Sequence, residues 1–92
     1  MPDVFAALAD PTRRSLLHAV VDRGDATATE LAVGLPITRQ AVTKHLGVLA
    51  DAGLVHATRA GRETRYRPTT EPLDEAMTWI ARLEALQRRA TR

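Results

Sequence analysis

Apolar residues in this chain recur mostly at helical spacing, and the breaks between recurrences fall at glycines and prolines. Asp3 to Ala9 predicts a short helix. In "ADPTRR", Asp10 is placed to cap the next helix and Pro11 to occupy its first turn. That helix carries Leu16, Leu17, Val20 and Val21 on one stripe and ends at Gly24. "TATELAVGL" predicts a third, short helix with Thr27 or Thr29 as its cap. Glu30 then falls in its first turn, where a negative charge suits the helix dipole, and Gly34 and Pro36 close it. After the turn "LPIT", Thr38 caps a fourth helix whose Val42, Leu46 and Leu49 share one face at i, i+4 and i+7. Gly53 ends it.

The period then changes. "LVHATRAGRETRYRP" alternates Arg and Thr around β-branched and aromatic residues, which predicts two short strands joined at Ala60 and Gly61 and ended by Pro68. Leu73 to Arg89 returns to helical spacing, with Leu73, Met77, Ile80 and Leu83 in one stripe widened by Trp79 and Leu86. Two helices joined by a tight turn, the second rich in hydrogen-bonding residues at its start, match a helix-turn-helix. The basic hairpin that follows makes it winged. The expected fold is one mostly α domain over residues 1–92, with about five helices and a small β-hairpin. Residues 27–52 form the helix-turn-helix and 54–68 the wing, with 1–10 and 70–92 left as terminal helices.

Composition agrees with this and adds an expectation of assembly. The chain is 45% hydrophobic but only 3% aromatic, so its apolar content is mostly Ala, Leu and Val, which favours close helices over a β-sandwich. A 92-residue domain with so small a core leaves apolar surface seeking a partner, and a homo-oligomer is expected. The absence of cysteine excludes disulfides and thiolate metal sites within the chain and fits a reducing compartment. The start "MPDVFAALADP" lacks a basic leader, and no apolar run approaches the ~20 residues of a membrane span. A cytoplasmic location, with no membrane partner, is expected.

The formal charge of +2 is unevenly spread. From Arg39 to Arg67 six basic residues face two acids, net +4, whereas residues 1–38 are net −2 and 68–92 are balanced. A basic segment of this kind suggests a polyanion. Arg39, Gln40, Thr43 and Lys44 lie within two turns of the fourth helix, opposite Val42, Leu46 and Leu49. A helix fits the major groove of B-DNA with the residues near its start against base edges. Arg39 suits guanine, Gln40 suits adenine, and Thr43 can bond a base or touch a thymine methyl, while Lys44 serves a base or a phosphate. Such residues on a helix more often form a plain solvated face. The preceding turn and the following basic hairpin favour DNA reading here. In the hairpin, Arg65 and Arg67 can simply flank Tyr66, so Arg62 is the first choice for a DNA contact.

The stretches "FAALADPTRRSLL", "TATELAVGLPITRQAVTKHLGVLADAGLV" and "AGRETRYRP" resemble the ArsR-type (arsenic repressor-like) winged-helix transcriptional regulators from about Phe5 to about Leu83. The resemblance implies that the helix from Thr38 to Ala52 enters the major groove and that Val55 to Pro68 is the wing. It assigns Arg39, Gln40, Thr43 and Lys44 as base readers, with Arg59 and Arg62 near the wing tip as phosphate or minor-groove contacts, and Arg65 is a further DNA-backbone or wing candidate. It also implies a homodimer through the first and last helices, with Phe5, Leu8, Leu73, Met77, Trp79, Ile80 and Leu83 at the seam. The implied partner is double-stranded DNA at a pseudo-palindromic operator, and members often repress their own operons. Metalloid-sensing members carry cysteines where this chain reads "ELAVGL", with Ala32 and Gly34. Members with zinc on the last helix place Asp and His there, whereas "LDEAMTWIARLEALQRR" has no His. The chain resembles the branch that does not sense metals, so no metal or cofactor is expected, and no effector is implied.

His18, His45 and His56 lie one per element without metal-ligand spacing and are expected to be structural or surface residues. Trp79, Met77 and Ile80 could line an effector pocket, but apolar stripes of this spacing are more often core or dimer seam. Gly47 inside the reading helix costs ~1 kcal/mol against alanine; close approach of DNA or another helix could offset this, and the sequence does not decide between them. No nucleophile motif, phosphate loop or metal spacing points to an enzyme. The alternative function is a winged-helix module that binds protein, and an acid-free partner surface would not require the basic segment.

Overall fold

Residues 3–91 are described in a computed structural model, and local capping chemistry explains where most of its elements begin and end. The first helix, α1 (Val4–Leu8), is capped by Asp3, whose Oδ1 accepts the Phe5 N–H at 2.9 Å. Helix α2 (Pro11–Arg23) starts on Asp10, which accepts the N–H groups of Thr12 at 2.7 Å and Arg13 at 3.2 Å. Pro11 stands at its first turn, where no N–H is needed. It stops at Gly24, whose φ of +79° favours glycine and whose N–H closes onto the Val20 carbonyl.

Strand β1 (Ala26–Thr27) leads into α3 (Ala28–Ala32) through a full capping box. The Thr27 hydroxyl accepts the Glu30 N–H, and the Glu30 carboxylate accepts the Thr27 N–H. Thr27, rather than Thr29, is therefore the cap. Helix α4 (Arg39–Asp51) begins on the Thr38 hydroxyl, which accepts the Ala41 N–H. It ends in a tight C-terminal turn in which Leu54 N–H reaches the Leu49 carbonyl at 2.9 Å.

Strands β2 (Val55–Ala60) and β3 (Glu63–Pro68) form an antiparallel hairpin, and β1 adds to the outer edge of β3, giving the order β1-β3-β2. The register pairs Ala57 with Tyr66 and Tyr66 with Ala26, so the Tyr66 ring is buried at the root of the hairpin. Two departures from expectation lie here. The turn falls on Gly61 and Arg62, because Ala60 still pairs with Glu63, and β1 was unforeseen because two residues show no alternation.

Leu16, Val20, Val42, Leu46, Leu49 and Leu54 form the fully buried centre, contributed by α2, α4 and the start of the hairpin. Val21, expected on the same stripe, is 50% exposed, since the buried face of α2 runs through Leu16, Leu17 and Val20 and turns past it. Leu8 and Leu73 are half-buried against this core.

The last helix, α5 (Glu71–Ala90), starts two residues before Leu73, because Pro72 is tolerated in its first turn. Ala76 is its one buried residue, and from Met77 onward every described position is exposed. The described residues span 56 × 25 × 23 Å. The result is a mostly helical domain with a small three-stranded sheet.

Candidate nucleic-acid interface

Helix α4 buries Val42, Leu46 and Leu49 and turns the opposite side to solvent. Arg39, Gln40, Thr43 and Lys44 are all exposed on its first two turns, held there by the packing of the buried face. Among the described residues, Arg39, Gln40 and Lys44 have no side-chain hydrogen bond or ion pair. Thr43 differs: its hydroxyl donates to the Arg39 carbonyl one turn earlier, at 3.0 Å. That proton is spent inside the helix, and what Thr43 offers outward is a methyl group and an oxygen lone pair.

The hairpin projects beside this helix. A cleft of about 430 Å³ lies between them, lined by Arg39 and Thr43 on one wall and by Arg62, Glu63 and Thr64 on the other, with Thr29 and Glu30 of α3 also against it. Arg39, Thr43 and Arg62 are thus brought to one place, whereas Gln40 and Lys44 stand outside the cleft. Thr29 and Thr64 were not anticipated. With Thr27 serving as the cap, Thr29 is left exposed, and that follows from the capping box alone.

The wing arginines part company. Arg62, at the turn, has no side-chain partner among the described residues, and Arg59 folds its Nε back to the Gly61 carbonyl at 3.1 Å. Arg65, by contrast, has partners within the chain. Its Nε donates to Asp25 at 3.0 Å, and its two terminal nitrogens reach Glu63 at 3.0 Å and Glu30 at 3.4 Å. Three carboxylates, from the turn after α2, from α3 and from β3 itself, occupy the whole guanidinium, whose pKa is raised chiefly by the hydrogen bond to Asp25. Arg67 also reaches Asp25, at 3.7 Å, and Arg23 reaches Glu30 at 3.3 Å. The carboxyl of Glu30 titrates below its ordinary value, first because it accepts the Thr27 N–H, with the Thr27 hydroxyl, Arg23 and Arg65 adding to this.

A second surface lies at the termini. Phe5 of α1 meets Trp79 of α5 with ring centroids 5.4 Å apart and planes tilted by 58°. Phe5, Met77, Trp79, Ile80, Leu83 and Leu86 are all about half exposed or more, and Trp79, Ile80, Leu83 and Leu86 share a side of α5, with Met77 at its margin. Leu8 and Leu73, expected at the same seam, instead pack against the core from its edge. Arg13 and Arg14 have a role that sequence reasoning missed. Their guanidinium groups donate to the carbonyls of Ala7, Ala6 and Leu8, which satisfies the C-terminal end of the short α1 helix.

A helix-turn-helix whose second helix presents free polar side chains, followed by a hairpin that flanks the same cleft, defines a winged helix-turn-helix DNA-binding domain. Residues 8–57 match the family described as "Helix-turn-helix domain". The chain is 42% identical to an uncharacterized HTH-type transcriptional regulator of Bacillus subtilis, YuzN, over 84% of this chain and 91% of the relative. It is 32% identical to the transcriptional repressor SdpR of the same organism, over 87% and 88% of the two chains. An ArsR-like transcriptional regulator from Rhodococcus sp. RHA1 superposes with a TM-score of 0.80 at 41% identity, covering 96% of this chain and 82% of that one. The chain belongs to the ArsR-type family of helix-turn-helix transcriptional regulators, and it is a DNA-binding regulator of transcription.

Proposed function

We propose that the protein is a homodimeric repressor that reads a pseudo-palindromic operator. In this reading Arg39, Gln40, Thr43 and Lys44 face bases in the major groove, and Arg62, with Arg59 beside it, holds the backbone from the wing. The observation that carries it is the placement of Arg39 and Arg62 on opposite walls of one cleft, neither of them engaged within the described residues. A charged side chain that folding leaves without a partner is available to a phosphate or a base. The repressor assignment draws on the likeness to SdpR.

Dimerisation is supported by the apolar face of α1 and α5. Six large apolar side chains exposed together on a chain of this size would cost solubility unless covered, and a two-fold axis covers them with a second copy of themselves. The seam proposed is Phe5, Met77, Trp79, Ile80 and Leu83, with Leu8 and Leu73 supporting it from beneath. A two-fold dimer places its reading helices about one DNA turn apart, roughly 34 Å, which is why a pseudo-palindrome is proposed.

The chain is further proposed to belong to members that do not sense metals. It has no cysteine, and the described residues contain no cluster of three or more His, Asp or Glu able to hold a metal ion. No described helix is long and apolar enough to cross a membrane, which suits the cytoplasmic location proposed for it. Selection of bound sequences from random duplex DNA tests the whole reading. A pseudo-palindromic consensus is expected, and recovery of no preferred sequence would refute it.

A further inference from the structure

Beyond Arg65 the wing stands alone. Strand β1 pairs with β3 only at Tyr66 and Arg65, so the residues from Glu63 back to Thr58 have no strand partner outside their own hairpin. An isolated two-stranded ribbon is marginally stable. Yet Arg62 and Thr64 form one wall of a cleft whose other wall is α4, and the width of that cleft decides whether both walls reach the same stretch of DNA. Something at the root of the wing must set its angle.

We infer that Arg65 is a positioning residue that fixes the wing against α3 and the turn before β1, and so sets the separation of Arg62 from the reading helix. This rests on the proposed DNA reading for its consequence, though not for its geometry. Arg65 lies at the last rung where β3 touches β1. Its planar fork binds Asp25 in the turn after α2, Glu30 in α3 and Glu63 on its own strand. A single exposed ion pair holds little. Here the side chain is only 30% exposed, and one rigid group bridges three elements, a task for which the point charge of lysine has no matching geometry. Glu30 is itself fixed by the capping box, and Arg23 holds its other oxygen. The chain of contacts therefore runs from the N-terminus of α3 to the root of the wing. Pairing also neutralises Glu30 and Glu63, which line the cleft and would otherwise repel a phosphate there.

Asp25 provides the decisive test, because it belongs to the network but does not line the cleft. Asp25→Asn removes a negative charge, a change that tightens DNA binding if only long-range electrostatics matter. Loss of the bridge does the opposite. Affinity for the selected operator, measured by fluorescence anisotropy on the intact chain, is expected to fall about five-fold or more. The penalty of Arg62→Ala is expected to shrink in the Asp25→Asn background, since a wing that has swung away no longer delivers Arg62. Amide hydrogen exchange on the free protein gives an independent reading: Thr58 to Thr64 should exchange faster in Asp25→Asn while α4 does not change. Arg65→Met should reproduce both effects. Unaltered exchange in the wing would overturn the inference whether or not an operator is found. Unaltered or tighter operator binding with a full Arg62→Ala penalty would overturn it equally. Faster exchange in a protein without operator preference would instead refute the DNA reading and leave the bridge standing.

Discussion

Replacing Gly47 with alanine should stabilise the free protein. Glycine in a helix interior costs about 0.8–1.0 kcal/mol relative to alanine, because the unfolded chain loses more freedom on folding. That cost is normally offset by a need for φ > 0 or by a close neighbour, and Gly47 has neither. It is not among the glycines with positive φ, and among the described residues a Cβ built there meets no atom within 4 Å beyond its chain neighbours and the nearby backbone of its own helix. Packing against another helix of the same chain is thereby excluded as the reason for it. With no clash to subtract and no burial to add, the full helical term of ~1 kcal/mol remains, equivalent to a rise in Tm of roughly 4–8 °C for a domain of this size. Thermal unfolding followed by circular dichroism measures it, at one fixed protein concentration because a dimer melts in a concentration-dependent way. Gly53→Ala is the contrasting control. At φ +78°, with the Pro72 Cγ 3.4 Å from the added carbon, the same substitution should destabilise by about 1 kcal/mol or more. An unchanged or lowered Tm for Gly47→Ala would refute the reasoning.

Arg39→Ala and Gln40→Ala should each reduce the margin of operator over random DNA by ~1–3 kcal/mol, whereas Arg62→Ala should weaken all sequences alike and lower the salt slope by about one. Competition titrations at several salt concentrations separate the two patterns, and an intact margin in Arg39→Ala would remove it from the reading face. Leu83→Asp places a charge in the proposed seam and should yield a monomer on sedimentation; a folded dimer of unchanged mass would show that α5 is not the interface. Asp10 and Glu30 both titrate below their ordinary values of 3.8 and 4.5, Asp10 chiefly through the Arg13 N–H it accepts and Glu30 through that of Thr27. Because the folded values are the lower ones, the stability they contribute is complete above about pH 5 and lost as pH falls through those values. Tm should therefore be level from pH 7 to 5 and drop below pH 4, less steeply in Asp10→Asn, which still caps but does not titrate. An identical acid slope in that variant would show that Asp10 carries none of it.

Helix ends were the most legible part of the fold because their chemistry is local. Asp10, Thr38, Gly24 and Gly53 each act within a few residues of themselves, so the sequence alone placed α2 and α4 nearly to the residue. The buried face of α4 was equally plain from the spacing of Val42, Leu46 and Leu49. What spacing could not distinguish was which of two adjacent residues the core would cover. Val20 and Val21 both extend the stripe on α2, yet one is fully buried and the other half exposed, a difference decided by where α4 lies across them. Strand β1 was hidden for the same reason, since two residues become a strand only when β3 arrives beside them.

The wing arginines show the limit most sharply. The sequence already favours Arg62 over Arg65, which flanks Tyr66, but the excess of charge from Arg39 to Arg67 counts the two alike. Folding separates them, because the partner of Arg65 lies forty residues away at Asp25, in the acidic first part of the chain. Part of the charge asymmetry therefore closes on itself: Arg65 and Arg67 meet the carboxylates that made residues 1–38 negative. What stays outward is Arg39, Lys44 and Arg62, with Arg59 nearby at the turn. Two populations result among the described residues, one paired with carboxylates of the fold and the other without such a partner. A basic segment is thus a poor count of groups free to meet a polyanion until its internal pairs are removed.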